Sequence, residues 1–156
     1  MPKYSKRSKD RLNTAHSYLR AVFNVVIQVF DNTIICGHRI RAKQNAAFEG
    51  GKSKVKWPDG KHNKLPSDAV DSAPYNPEDR RINWPDPAVG AVIKKAHPDA
   101  GKYITVLCRW YHYGGFVLGV AFALGIKLRW GGDWDGDTIL DDQKFNDLPH
   151  FELKEK

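Results

Sequence analysis

Cysteine is scarce in this chain of 156 residues, long apolar runs are missing, and acidic residues are outnumbered. The two cysteines, Cys36 and Cys108, each sit in an apolar stretch. Their spacing implies no disulfide, so both are read as buried thiols. No apolar run follows the basic start Met1-Pro2-Lys3-Tyr4-Ser5-Lys6-Arg7, which excludes a secretory signal peptide. The expectation is synthesis in a cytoplasm with no encoded route out. The most apolar region, Tyr103 to Ile126, carries Arg109, His112 and four glycines, so a membrane span is not expected. With 25 Lys and Arg against 18 Asp and Glu, the net charge is +7 and favours an anionic partner.

What is present is an ordinary globular composition, 41% apolar and 12% aromatic, which argues against disorder. A chain of this length buries about 70% of the surface it exposes when unfolded. One domain spanning 1–156 is expected, with no separate wall-binding or other module.

Leu12, Ala15, Leu19, Val22, Val26 and Val29 recur at three- and four-residue steps and predict one amphipathic helix over 8–30. A short buried strand over 33–37 follows, then a helix over 41–49 stopped by Gly50-Gly51. Residues 52–87 hold six prolines and little periodicity, the composition of a functional loop. A strand over 69–73 is expected inside it, ended by Pro74, and a small helix over 87–95 after it. Residues 103–124 read as the main core helix, although three internal glycines weaken it. Strands over 127–130 and 151–153 complete an irregular order of elements, which favours α+β over a doubly wound sheet.

The chemistry-bearing residues fall in two distant segments, with His62 and Asp71 in one and Asp147 and His150 in the other. Two imidazoles and a carboxylate suffice to hold a catalytic zinc, leaving a fourth position to water. A carboxylate three residues before the last histidine can take a proton from that water. Pro149 disfavours helix at Leu148, so Asp147 and His150 are placed on a turn entering a strand. In that strand His150 and Glu152 share one face, and Phe151 and Leu153 anchor the other. The spacing alone does not join the two segments.

Sequence blocks join them. Ser53-Lys54-Val55-Lys56-Trp57-Pro58, Lys61-His62-Asn63, Pro66-Ser67, Ala69-Val70-Asp71, Arg129-Trp130-Gly131-Gly132-Asp133-Trp134 and residues 145–153 occur in an order that resembles one family. It is the phage endolysin group of L-alanyl-D-glutamate peptidases, within the zinc D-Ala-D-Ala carboxypeptidase (VanY-like) superfamily. The resemblance implies a small antiparallel sheet packed against helices, the Hedgehog/D-Ala-D-Ala peptidase-like fold. It implies that His62, Asp71 and His150 bind Zn²⁺ and that Asp147 is the catalytic carboxylate. Arg39, in Gly37-His38-Arg39, would stabilise an oxyanion or hold a substrate carboxylate, and Gln44 falls where the family often has a site-facing glutamine. The chain departs from the family at Gly60, where a serine is usual, at His38, where a tyrosine is usual, and in two extra residues between His62 and Asp71.

The implied function is lysis of a bacterial host by cleaving the L-Ala–D-Glu bond of peptidoglycan. The alternative is a D,D-carboxypeptidase or dipeptidase of the same superfamily. A basic nucleic-acid-binding module is disfavoured, because the basic residues are scattered and carry no binding motif. No stable membrane association and a monomeric state are expected. Action on the wall would follow release through a membrane pore made by another protein. Asp133, Asp135, Asp137 and Asp141 form an acidic stretch, read first as a solvated turn and alternatively as a regulatory Ca²⁺ site.

Overall fold

The computed structural model describes residues 1–85 and 100–154. Helices α1 (Lys6–Asn13) and α2 (Ser17–Val29) lead into strand β1 (Asn32–Cys36) and helix α3 (Arg41–Glu49). A single 3-10 turn, Lys61–Asn63, precedes β2 (Ala69–Pro74). The long helix α4 (Ala100–Ala123), β3 (Leu128–Gly131) and β4 (Asp147–Leu153) complete the described chain. The four strands form one antiparallel sheet in the order β1-β2-β4-β3. The architecture is the α+β arrangement expected, and the helix over 41–49 falls where it was predicted. The small helix expected over 87–95 lies outside the described residues.

The continuous helix expected over 8–30 is instead two helices. Thr14 Oγ1 donates to the Arg11 carbonyl at 2.7 Å and closes α1. Ala15 then forms a parallel bridge with Ser67, through Ser67 N to Thr14 O and His16 N to Ser67 O, both 2.9 Å. His16 restarts the helix as a cap, its Nδ1 accepting from the Tyr18 amide. The break satisfies backbone groups with a partner far along the chain, while Leu12, Ala15 and Leu19 keep one inward stripe across it.

One face of the sheet packs on α2 and α4. Phe151, Val70, Ile34, Phe23, Tyr113 and Val117 are fully buried between them. Ser72, on the same face of β2 as Val70, has its hydroxyl 2.6 Å from the Tyr113 hydroxyl, so this buried polar group is satisfied. Strand β4 begins four residues earlier than expected and contains Pro149. That is tolerated because pairing with β3 shifts between Trp130 and Gly131, opening a bulge opposite residues 148–150.

Trp130 ties this irregular strand to α4. Its indole N–H donates to the Leu148 carbonyl at 2.7 Å, and its ring stacks on Phe151. Gly114 exists inside α4 to admit that ring, since a Cβ there would lie 2.4 Å from Trp130. Gly114→Ala gains about 1 kcal/mol of helix propensity but forces an overpacking cost of about 1–3 kcal/mol. The expected outcome is a lower denaturant midpoint for Gly114→Ala. Gly115→Ala, where nothing lies within 4 Å, should raise it.

The cysteines correct the sequence reading. Cys36 is half-buried at the end of β1 and Cys108 is exposed on α4, both as free thiols. Apolar neighbours in sequence do not bury a residue when the helix turns it outward.

Candidate active site

The sheet face opposite the core carries the polar cluster. Asp71 on β2 pairs directly with His150 on β4, so register alone places the two side chains together. His62 comes from the 3-10 turn, which Asn63 holds in place. Asn63 Oδ1 accepts from the Gly60 amide at 3.0 Å, and its Nδ2 donates to the Arg39 carbonyl at 3.0 Å. The Gly60 departure acquires a reason here: a Cβ at that position would lie 2.8 Å from Asn63 Oδ1.

Three donor atoms converge. His62 Nε2 lies 2.9 Å from Asp71 Oδ1 and 3.3 Å from His150 Nδ1, and His150 Nδ1 lies 3.1 Å from Asp71 Oδ1. Each is oriented by a partner on its far side. His62 Nδ1 is 2.7 Å from the Gly37 carbonyl, His150 Nε2 is 3.0 Å from Glu152 Oε2, and Asp71 Oδ2 accepts from Arg39 Nη2 at 2.8 Å. Such outer partners fix the tautomer and direction of metal-binding side chains. The Cys36 sulfur forms a second, looser set with His62 and Asp71, with one donor atom of each within 4.8 Å of the others. The His62–Asp71–His150 triangle is tighter and is the better-preorganised of the two.

The electrostatics follow the geometry. Burial disfavours a charged His62, yet the Asp71 carboxylate outweighs it and lifts the imidazole pKa to about 10. Burial also opposes charge on Asp71, but the two imidazoles hold it well below the usual carboxylate range. His150 is raised despite burial by its bonds to Asp71 and Glu152. Asp147 moves the other way: burial and then the Asp71 charge push its carboxyl up, against the attraction of His150, His62 and Arg39.

Asp71, Asp147 and His150 border a cavity of about 700 Å³ of mixed charge, with Arg39, Lys52, Lys54, Lys61 and Arg129 on its wall beside Asp59 and Glu152. Gln44 is elsewhere. It is almost fully buried, its amide donating to Ser53 Oγ and the Val55 carbonyl and accepting from Arg39 and Asn63. Its hydrogen-bonding groups are engaged in holding Arg39 and the 53–55 loop, rather than facing the cavity.

Residues 1–114 match the sequence pattern of the phage L-alanyl-D-glutamate peptidase family. The chain belongs to that family. It is 30% identical over 143 residues to the L-alanyl-D-glutamate peptidase of Escherichia phage T5, covering 90% of this chain and 88% of that one. Its fold is similar to the crystal structure of Serratia marcescens L-Ala D-Glu endopeptidase ChiX, with a TM-score of 0.64 and 20% identity. That likeness covers 97% of this chain and 90% of the other. The stretch of this chain that matches the family pattern contains Arg39, His62 and Asp71 and stops before Asp147 and His150.

The roles of Glu152, Cys36 and Asn63 at the site were missed by sequence reasoning. Glu152 bridges His150 and Arg129, accepting from Arg129 Nε at 2.8 Å, and despite burial these partners lower its pKa to about 2. The His150-x-Glu152 alternation was the available signal. Trp134 tilts over His150 at 5.4 Å between ring centroids. Cys36 and Asn63 carried no local signal. In the acidic stretch, Asp133, Asp135 and Asp137 come together while Asp141 is not part of the group. Asp133 is buried and accepts from the Gly136 and Thr138 amides, closing the turn.

Proposed function

We propose that this chain is a zinc-dependent endolysin that hydrolyses the L-Ala–D-Glu bond of peptidoglycan stem peptides. The observation that carries the reading is the triangle of His62 Nε2, Asp71 Oδ1 and His150 Nδ1, with sides of 2.9, 3.1 and 3.3 Å. Ligands about 2.0–2.1 Å from a tetrahedral zinc stand roughly 3.3 Å apart, so the donor set suits that ion in size and chemistry. Zinc supplies, when bound, a Lewis acid for the scissile carbonyl and a more acidic water.

The chain's own residues divide the remaining work. Asp147 takes the proton from the attacking water and returns it to the leaving amine. Its raised pKa suits a group that must both accept and donate. Arg39 grips Asp71 Oδ2, which leaves Oδ1 to face the two imidazoles. Arg39 also lines the cavity, where its guanidinium stabilises the carbonyl oxygen as charge develops. The lysines and Arg129 around the cleft suit the carboxylates of the stem peptide.

No described helix is long and apolar enough to cross a membrane. A digest of purified sacculi with the zinc-loaded protein tests the function. New amino-terminal D-Glu is the expected product. Release of free D-Ala alone would replace this reading with a D,D-carboxypeptidase.

A further inference from the structure

Among the described residues, Asp147 is the one that lines both of two cavities. The first is the charged cleft of about 700 Å³, where Lys52, Lys54 and Lys61 stand among acidic side chains. The second, about 480 Å³, runs between α4 and the start of β4 and is lined by Trp84, Tyr103, Trp110 and Tyr111, with Asn146 beside Asp147. Trp110 is buried, donates to the Asn83 carbonyl at 2.8 Å, and stacks obliquely on Trp84 at 4.9 Å. Trp84 itself remains 54% exposed. A buried ring therefore supports an exposed one in a groove that the proposed base also lines.

The two linings differ in chemistry, and so do the two sides of the scissile bond. On its carboxyl side the stem continues through carboxylate-bearing residues, which Lys52 and Lys54 on the charged cleft suit. On its amino side stands a single L-Ala, joined to the lactyl group of a muramic acid sugar. One residue spans at most about 3.6 Å, so that sugar must lie close to Asp147 when the bond is in place. The apolar C–H face of a pyranose packs on aromatic rings, while tyrosine hydroxyls and the Asn146 amide can serve its polar edge.

Building on the peptidase reading, we propose that the groove of Trp84, Tyr103, Trp110 and Tyr111 is a subsite for the muramic acid sugar that carries the stem peptide. The enzyme then acts on glycan-attached stems in preference to free peptides, with its charged cleft on the peptide side.

The test compares kcat/KM for a disaccharide-tetrapeptide and for the same tetrapeptide without sugar. The wild type is expected to favour the sugar-bearing substrate by about tenfold, the usual worth of a good aromatic contact. Trp84→Ala and, separately, Tyr103→Ala should bring that ratio towards one while leaving cleavage of the sugar-free peptide unchanged. Equal wild-type kcat/KM for the two substrates would overturn the subsite and leave the peptidase reading standing. Parallel loss on both substrates in the variants would assign these rings a structural role instead. Cleavage of neither substrate by the wild type would overturn the peptidase reading and the subsite with it.

Discussion

Asp147→Ala is expected to bind zinc and fold as the wild type does while losing about 10²- to 10⁴-fold in kcat, the range for removal of a general acid–base group. Asp147 stands at the first position of β4, where Gly131 of β3 is its register partner and the Trp130 indole holds the next residue, Leu148. Those contacts are made by backbone and by neighbours, so truncating the carboxylate leaves the strand anchored. Removing a negative charge beside Asp71 also eases a repulsion that the wild type carries. Zinc content, circular dichroism and turnover on purified sacculi are the three measurements. Wild-type lysis by the variant would remove Asp147 from the mechanism.

Zinc removal should abolish hydrolysis, and zinc alone should restore it. Rebinding should release protons. In the metal-free protein His62 has a pKa of about 10, so at pH 7 it carries a proton that must leave before Nε2 can ligate. Apparent affinity should therefore rise by up to about tenfold per pH unit for each proton displaced, and level off only as the pH passes about 10. The metal-free fold should show the opposite trend. A raised pKa stabilises the folded state fully below 6.5, and that contribution disappears as pH rises through about 10. Calorimetric titrations in buffers of different ionisation enthalpy count the protons. Zinc binding with no proton release at pH 7 would contradict the paired His62–Asp71 arrangement.

Local signals were readable where the chain satisfies itself locally. The helix Arg41–Glu49 has its stop written in Gly50-Gly51, and β2 has its end written in Pro74. The break between α1 and α2 was not readable, because its backbone partner is Ser67, and the apolar stripe continues across the gap. Pro149 gave a correct bias away from helix, yet only the shifted pairing with β3 shows how a proline fits in a strand flanked on both sides. Gln44 matched a family position by sequence, while its actual partners, Ser53 and Val55, are set by how the following loop folds back.

The sequence by itself determined the chemical inventory: two imidazoles, two carboxylates and an arginine in recognisable blocks, with the period-two pattern that faces His150 away from Phe151. Residue type and local periodicity are properties of short stretches, so they are legible there. Only the tertiary structure decided that these groups converge. Antiparallel register sets Asp71 against His150, 79 residues away in the chain. It also decided what orients each donor, through Gly37, Glu152 and Arg39, and that an aromatic groove opens beside Asp147. Pairing between strands and packing against α4 are long-range, and no spacing along the chain encodes them.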